Sequence, residues 1–124
     1  MGKPGNTGIR RIILATRFSA QGIAHAWKHE SAFRQELTAA VVLTPAAAWL
    51  GRDAMETLLL LTSLVLVLIV ELLNSAVEAT VDRISDEHHK LAGRAKDMGS
   101  AAVFFSLVIV AAVWGTVIYQ RFYA

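Results

Sequence analysis

Charged residues are absent from three long stretches of this 124-residue chain, and this absence constrains its fold most strongly. The stretches cover residues 37–51, 57–70 and 98–120. A helix needs about 20 mostly apolar residues to cross the hydrocarbon core of a bilayer. The third stretch meets that length outright. The second meets it only if Glu71 lies within the span, and the first meets it only if the polar residues just before it are included. We therefore predict an all-α membrane protein with transmembrane helices at about 31–51, 56–82 and 97–120.

The composition agrees with a single small membrane domain over residues 1–124. Apolar residues make up 55% of the chain and charged residues only 18%, whereas soluble domains are about 25% charged. The absence of cysteine excludes a disulfide framework, a cysteine-ligated metal centre and a thiol nucleophile. A net charge of +2 is too small to indicate nucleic-acid binding.

Residues 7–30 have a different pattern, with apolar and basic side chains alternating at helical spacing. Ile9, Ile13 and Ile23 share one face, and Arg10 and Arg17 lie on the other. A basic amphipathic helix of this kind lies in the membrane interface instead of crossing it. The alternative is a helix that caps a soluble core, which the apolar stretches that follow make less favourable.

The distribution of Lys and Arg predicts the orientation of the chain in the membrane. Six of these residues lie in residues 1–35 and four in residues 83–96, but only one lies in residues 51–56 and one after residue 120. Cytoplasmic loops carry the excess of positive charge. Three spans would then give a cytoplasmic N-terminus, a cytoplasmic loop at residues 83–96 and an external C-terminus.

Two carboxylates interrupt the second apolar stretch. Glu71 and Glu78 are on one helix face with Asn74, Ser75 and Asp82. An acidic side chain at the centre of a membrane helix costs about 2.5–3.5 kcal/mol on insertion scales, and such residues usually have a function. The alternative is that they hold an oligomer together through interhelical hydrogen bonds, but amides and hydroxyls would do so without the cost of a charge.

Further polar residues are predicted at the same membrane face. Glu30 precedes the first span and could join Glu78 in supplying oxygen ligands to Mg²⁺, which is usually shared with substrate phosphates. Lys96 and Arg11 would supply positive charge for a phosphorylated nucleotide. No P-loop or soluble-kinase motif is present. The residues alone thus indicate metal-dependent chemistry or proton-coupled transport at the cytoplasmic surface.

Three sequence blocks resemble the bacterial diacylglycerol kinase family. They are ELLNSAVEATVDRI at residues 71–84, AWKHESAFRQE at 26–36 and HHKLAGRAKDMGSAAV at 88–103. The resemblance implies a homotrimeric helical bundle, with one surface helix and three transmembrane helices in each subunit and active sites between subunits. It also implies transfer of the γ-phosphate of MgATP to the hydroxyl of diacylglycerol, which gives phosphatidate and ADP.

The resemblance implies a role for individual residues. Glu71 corresponds to the general base and Asn74 to a residue that orients it or the phosphate, while Glu30 and Glu78 correspond to the metal ligands. The positions implied for nucleotide binding are Arg11, Phe18, Glu30, Glu78, Asp82, Glu87, His89, Lys96 and Asp97. Those implied for the lipid substrate are Arg11, Ala32, Phe33, Arg34, Gln35, Glu36, Trp49, Glu71, Ser100 and Trp114. Phe18 departs from the family, which often has a tyrosine there, and so lacks a hydroxyl that could contact the nucleotide.

Two other functions remain open at this point. Some relatives of the family phosphorylate a polyprenol such as undecaprenol in place of diacylglycerol. A small proton-coupled transporter, with Glu71 binding a proton and a cation in turn, is the alternative outside the kinases. A transporter would not need Glu30, Glu78, Lys96 and Asp97 to be confined to the cytoplasmic edge.

Overall fold

The computed structural model describes residues 7–84 and 89–124 and consists of four α-helices. In chain order they are α1 (Gly8–His29), α2 (Ser31–Leu50), α3 (Ala54–Ile84) and α4 (Lys90–Phe122). The predicted all-α class is confirmed. Helix α4 begins before the predicted third span, because His89 caps it: the Leu91 amide donates to His89 Nδ1 at 3.0 Å.

Helix α1 passes into α2 through a single extended residue, Glu30. The first helix ends there because the backbone turns to φ −117° and ψ 105°. Arg34 of α2 folds back across the junction, and its Nη1 donates to the carbonyl oxygens of Trp27 at 2.7 Å and Lys28 at 3.2 Å. The last carbonyls of a helix have no partner within it, so Arg34 fixes the elbow between the two helices.

Helices α3 and α4 are the two candidate membrane spans by length and hydropathy. They contain 31 and 33 residues, respectively. Most of their apolar surface is exposed in the single subunit: Ile69 is 50% exposed and Phe105 is 67% exposed. A soluble monomer rarely exposes apolar surface on this scale, so lipid or other protein chains cover these helices. Helix α2 has 20 residues and contains Pro45, but it does not reach the same hydropathy over a long enough window.

The core lies between α3 and α4, which form the most extensive helix pair, with α2 packed on α3. Its buried apolar members are Ala47, Leu50, Leu60, Leu64, Trp114 and Val117. One polar contact crosses this core: the Trp114 Nε1–H donates to Ser63 Oγ at 3.1 Å, and that hydroxyl donates to the Leu60 carbonyl at 2.7 Å. A buried indole normally requires such an acceptor.

The end of the bundle opposite Glu30 is held by the turn between α2 and α3. Arg52 Nη2 donates to Glu56 Oε2 at 2.7 Å and to Gln120 Oε1 of α4 at 2.9 Å. The hydrogen bonds and negative charge of Glu56 raise the pKa of Arg52. Gly51 is required here, since a Cβ would lie 2.8 Å from the Thr57 amide nitrogen. The turn therefore joins the ends of three helices.

Candidate active site

Glu71 is a buried carboxylate in α3. It is 5% exposed, and its Oε2 has no hydrogen-bond partner among the described residues. Glu36 of α2 lies close enough for the two carboxylates to repel each other, and Glu36 Oε2 is also buried without a partner in this part of the chain. Buried polar atoms are nearly always hydrogen-bonded. Two unpaired acceptors from neighbouring helices therefore mark a site that a proton or a hydroxyl-bearing ligand would complete.

Asn74 lies one turn from Glu71 on the same face of α3. Its Nδ2 donates to Glu78 Oε1 at 3.0 Å, and its amide also lies beside the Glu71 carboxylate. Its Oδ1 is buried and has no hydrogen-bond partner in the described chain. The predicted stripe of Glu71, Asn74 and Glu78 is thus one connected set of side chains, which we call the polar group.

Lys96 of α4 joins this group at the end of α3. Its Nζ contacts Asp82 Oδ1 at 2.6 Å. This hydrogen bond and the charge of Asp82 raise the pKa of Lys96, and the charge of Glu78 contributes in the same direction. The lysine is thus cationic at neutral pH and lies near both carboxylates. Its side chain is 44% exposed, so it remains accessible to a ligand.

Glu30 lies at the edge of a cavity of about 630 Å³ between α1 and α3. Gly22, Ile23 and Ala26 line one wall, and Leu72 and Ala76 line the other. The walls therefore combine apolar surface with polar groups from both sides. Such a cavity suits an amphipathic ligand better than a free nucleotide.

The donors that a divalent cation would need are present. Glu30 and Glu78 each lie near enough to Glu71 for their charges to act on its carboxylate. Among residues 7–84 and 89–124, however, no three metal-ligating side chains converge. A pair of carboxylates with hard oxygen donors fits Mg²⁺ that also binds substrate phosphates.

The other predicted positions have varied environments. Phe33 is 2% exposed and Trp114 is 9% exposed, and Arg34 holds the α1–α2 elbow. Exposed positions are Arg11, Phe18, Ala32, Gln35, Trp49, His89, Asp97 and Ser100. Glu87 lies outside the described residues. Trp49 and Trp114 are toward the end of the bundle opposite Glu78 and Lys96, so a single subunit does not bring them together with the polar group.

Sequence reasoning missed two relationships at this site. It placed Glu36 only among the lipid-contacting positions, although Glu36 faces Glu71. It also gave no partner for Asn74 on another helix, although Gly99 of α4 lies directly against Asn74. The available signals were an acid at the edge of an uncharged stretch and a glycine within a helix, and neither identifies its partner.

Comparisons with known proteins identify the family to which this chain is similar. A family model for prokaryotic diacylglycerol kinase matches residues 17–118. The chain is 48% identical over 116 residues to diacylglycerol kinase of Escherichia coli (strain K12), covering 94% of this chain and 95% of that protein. It is 49% identical over 113 residues to diacylglycerol kinase of Haemophilus influenzae, covering 91% and 96%. It is 48% identical over 114 residues to that of Pseudomonas aeruginosa, covering 92% and 93%.

The family match includes the whole polar group, from Glu30 through Glu71 and Glu78 to Lys96. It also includes the whole of α2 and α3 and almost all of α4. The chain belongs to the prokaryotic diacylglycerol kinase family.

Proposed function

We propose that this chain, a diacylglycerol kinase by family, phosphorylates its lipid at the polar group of α3, with Glu71 as the general base. The observation that carries this assignment is the buried Glu71 carboxylate, whose Oε2 has no partner in the described chain. A general base must be within hydrogen-bond reach of the proton that it removes. An unpaired oxygen inside an apolar helix bundle is available to the hydroxyl of a lipid and is shielded from water.

The neighbouring residues would position the reactants. Asn74 donates to Glu78 and lies beside Glu71, so it fixes both carboxylates relative to each other. Lys96 would balance the negative charge of the nucleotide phosphates, because it is cationic and exposed beside Asp82. Phosphoryl transfer depends mainly on such positioning and charge stabilisation.

Glu30 and Glu78 would hold Mg²⁺ together with the phosphates of ATP. When bound, the ion neutralises charge on the transferred phosphoryl group. Glu30 supplies its carboxylate from the elbow between α1 and α2, whereas Glu78 supplies its own from α3. The two carboxylates would bind the same ion only if α1 stays at a fixed angle to α3.

We also propose the arrangement of the chain in the membrane. Helices α2, α3 and α4 would cross the bilayer, with α1 on the cytoplasmic surface and the C-terminus outside. The excess of Lys and Arg in residues 1–35 and 83–96 supports this orientation. A homotrimer, as the family resemblance implies, would cover part of the apolar surface that α3 and α4 expose.

The test is a kinase assay in mixed micelles that contain diacylglycerol, labelled ATP and Mg²⁺. Wild-type protein should transfer label to phosphatidate. Glu71→Gln should reduce kcat by about 10²- to 10⁴-fold, the range for loss of a general base, while a fluorescent ATP analogue still binds. Absence of labelled phosphatidate with the wild type would exclude the kinase activity. Loss of nucleotide binding in the variant would instead exclude the base role of Glu71.

The same assay addresses the polyprenol alternative. Undecaprenol offered in place of diacylglycerol should accept less label at equal concentration. A higher kcat/KM for undecaprenol would reassign the substrate without changing the proposed site.

A further inference from the structure

We infer that Gly99 of α4 is a positioning residue of the kinase: because it lacks a side chain, the Asn74 amide can take the orientation that hydrogen-bonds Glu78. The inference rests on the proposed function, since it assigns to Gly99 an effect on two residues of the proposed site. It adds a residue from a second helix that contacts no substrate itself.

The contact between Gly99 and Asn74 is specific within α4. A Cβ at Gly99 would overlap Asn74 Oδ1 and would lie 3.2 Å from Asn74 Cγ. Helix α4 contains two other glycines, Gly93 and Gly115, and a Cβ at either would have no heavy atom within 4 Å. Among the glycines of α4, close packing therefore requires the absence of a side chain only at Gly99.

The Glu78 carboxylate fixes which end of the Asn74 amide faces which neighbour. Nδ2 points to Glu78 Oε1, at 3.0 Å. Oδ1 is buried against Gly99 and has no hydrogen-bond partner in the described residues. An amide has a donor at one end and an acceptor at the other, so reversing it would place an oxygen against the Glu78 carboxylate. With the donor end on Glu78, the oxygen end occupies the space that a side chain at position 99 would fill.

A methyl group at position 99 would act on the amide and not on the helix backbone. The atoms it would meet belong to the end of a short side chain, which can rotate. Rotation would move Nδ2 away from Glu78 and remove the hydrogen bond to a charged acceptor. The helices can keep their packing, so the expected defect is in substrate binding and not in folding.

The experiment compares Gly99→Ala with Gly93→Ala and Gly115→Ala, each assayed for kcat and for KM of MgATP. All three substitutions bring the same gain in helix propensity. A difference in KM between the variants would therefore come from the contact with Asn74. Gly99→Ala should raise KM by about tenfold, as loss of a hydrogen bond to a charged group does, with a smaller change in kcat. The two controls should stay within about twofold of the wild type. A KM for Gly99→Ala equal to that of the controls would overturn the inference.

A double-mutant cycle separates this role from a purely structural one. Asn74→Ala removes the amide, so adding Gly99→Ala to it should change KM by less than about twofold. An equal increase in KM with and without Asn74 would overturn the inference. If Gly99→Ala alone does not fold, the double variant should recover folded protein because the clashing side chain is gone, and failure to recover it would also overturn the inference.

The KM of Asn74→Ala alone tests the proposed function separately from the role of Gly99. That variant should itself raise the KM for MgATP. Wild-type kinetics for Asn74→Ala would remove Asn74 from the proposed site, and Gly99 would then lose its positioning role with it. An altered KM for Asn74→Ala combined with no effect of Gly99→Ala would leave the site intact and reject only Gly99.

Discussion

Lys96 Nζ of α4 lies 2.6 Å from Asp82 Oδ1 of α3, which joins the two helices beside the proposed nucleotide site. The pairing determines how the site should respond to pH. Asp82 raises the pKa of Lys96, so the charged form is retained to higher pH than the ordinary value of about 10.4. Any stability from the pair is therefore complete below the ordinary pKa and is lost as the pH rises through the raised one.

The first prediction concerns this pair. Lys96→Met should raise the KM for MgATP, because no cation then balances the phosphates. Asp82→Asn keeps the lysine but lowers its pKa toward the ordinary value, so its KM should begin to rise at lower pH than in the wild type. The measurement is KM against pH from 7 upward, and identical profiles for Asp82→Asn and the wild type would contradict the coupling.

A second prediction concerns the proposed metal ligands. Glu30→Gln and Glu78→Gln should each increase the Mg²⁺ concentration needed for half-maximal activity, since an amide is a weaker ligand for Mg²⁺ than a carboxylate. Loss of a group that only hydrogen-bonds to a metal ligand changes metal affinity by about 10- to 100-fold, and we expect at least that change here. Titration of activity with Mg²⁺ at saturating ATP measures it. Glu56→Gln, at the opposite end of α3, is the matched control, and an unchanged requirement in Glu30→Gln would remove Glu30 from the site.

A third prediction concerns the elbow that carries Glu30. Arg34→Met removes the donor to the Trp27 and Lys28 carbonyls, so the last turn of α1 should lose order. Amide hydrogen exchange in that turn should become faster, and the Mg²⁺ requirement should rise with it. Lys28→Met removes a positive charge from the same elbow without removing that hydrogen bond and serves as the control. Unchanged exchange in Arg34→Met would show that other contacts hold the elbow.

A fourth prediction separates stability from catalysis. Ser63→Ala leaves the Trp114 Nε1–H buried without its acceptor, which should lower the free energy of unfolding by about 1–3 kcal/mol. Ser106 is also buried, but its hydroxyl donates only to the Val103 carbonyl within its own helix. Ser106→Ala should therefore cost less. Thermal unfolding in detergent compares the two variants, and kcat of the folded fraction should be unchanged in both.

The stripe on α3 could be predicted from sequence because helical spacing alone places Glu71, Asn74 and Glu78 on one face, and the structure shows the hydrogen bond from Asn74 to Glu78. The partner of Glu71 on α2 could not, because α2 is apolar around most of its circumference and periodicity does not define which side faces α3. Glu36 lies near the polar beginning of α2, and the sequence there does not indicate which residue of another helix it contacts.

Two other side chains show why single positions are harder to predict than helices. Arg34 was predicted to contact lipid, but its guanidinium hydrogen-bonds to the carbonyls of the preceding helix. Trp114 was predicted at the lipid surface, whereas the structure places it in the core with Ser63 as its acceptor. Both environments depend on how two helices cross, which the sequence of either helix alone does not contain.

The one-residue junction at Glu30 has a mechanical consequence. Because helix continues on both sides of this residue, there is no slack chain to absorb a change in the angle of α1. If α1 lies on the membrane surface as proposed, a force that tilts it would act on the backbone that carries the Glu30 carboxylate. The curvature and lateral tension of the bilayer would thereby act as inputs to the rate at which the lipid is phosphorylated.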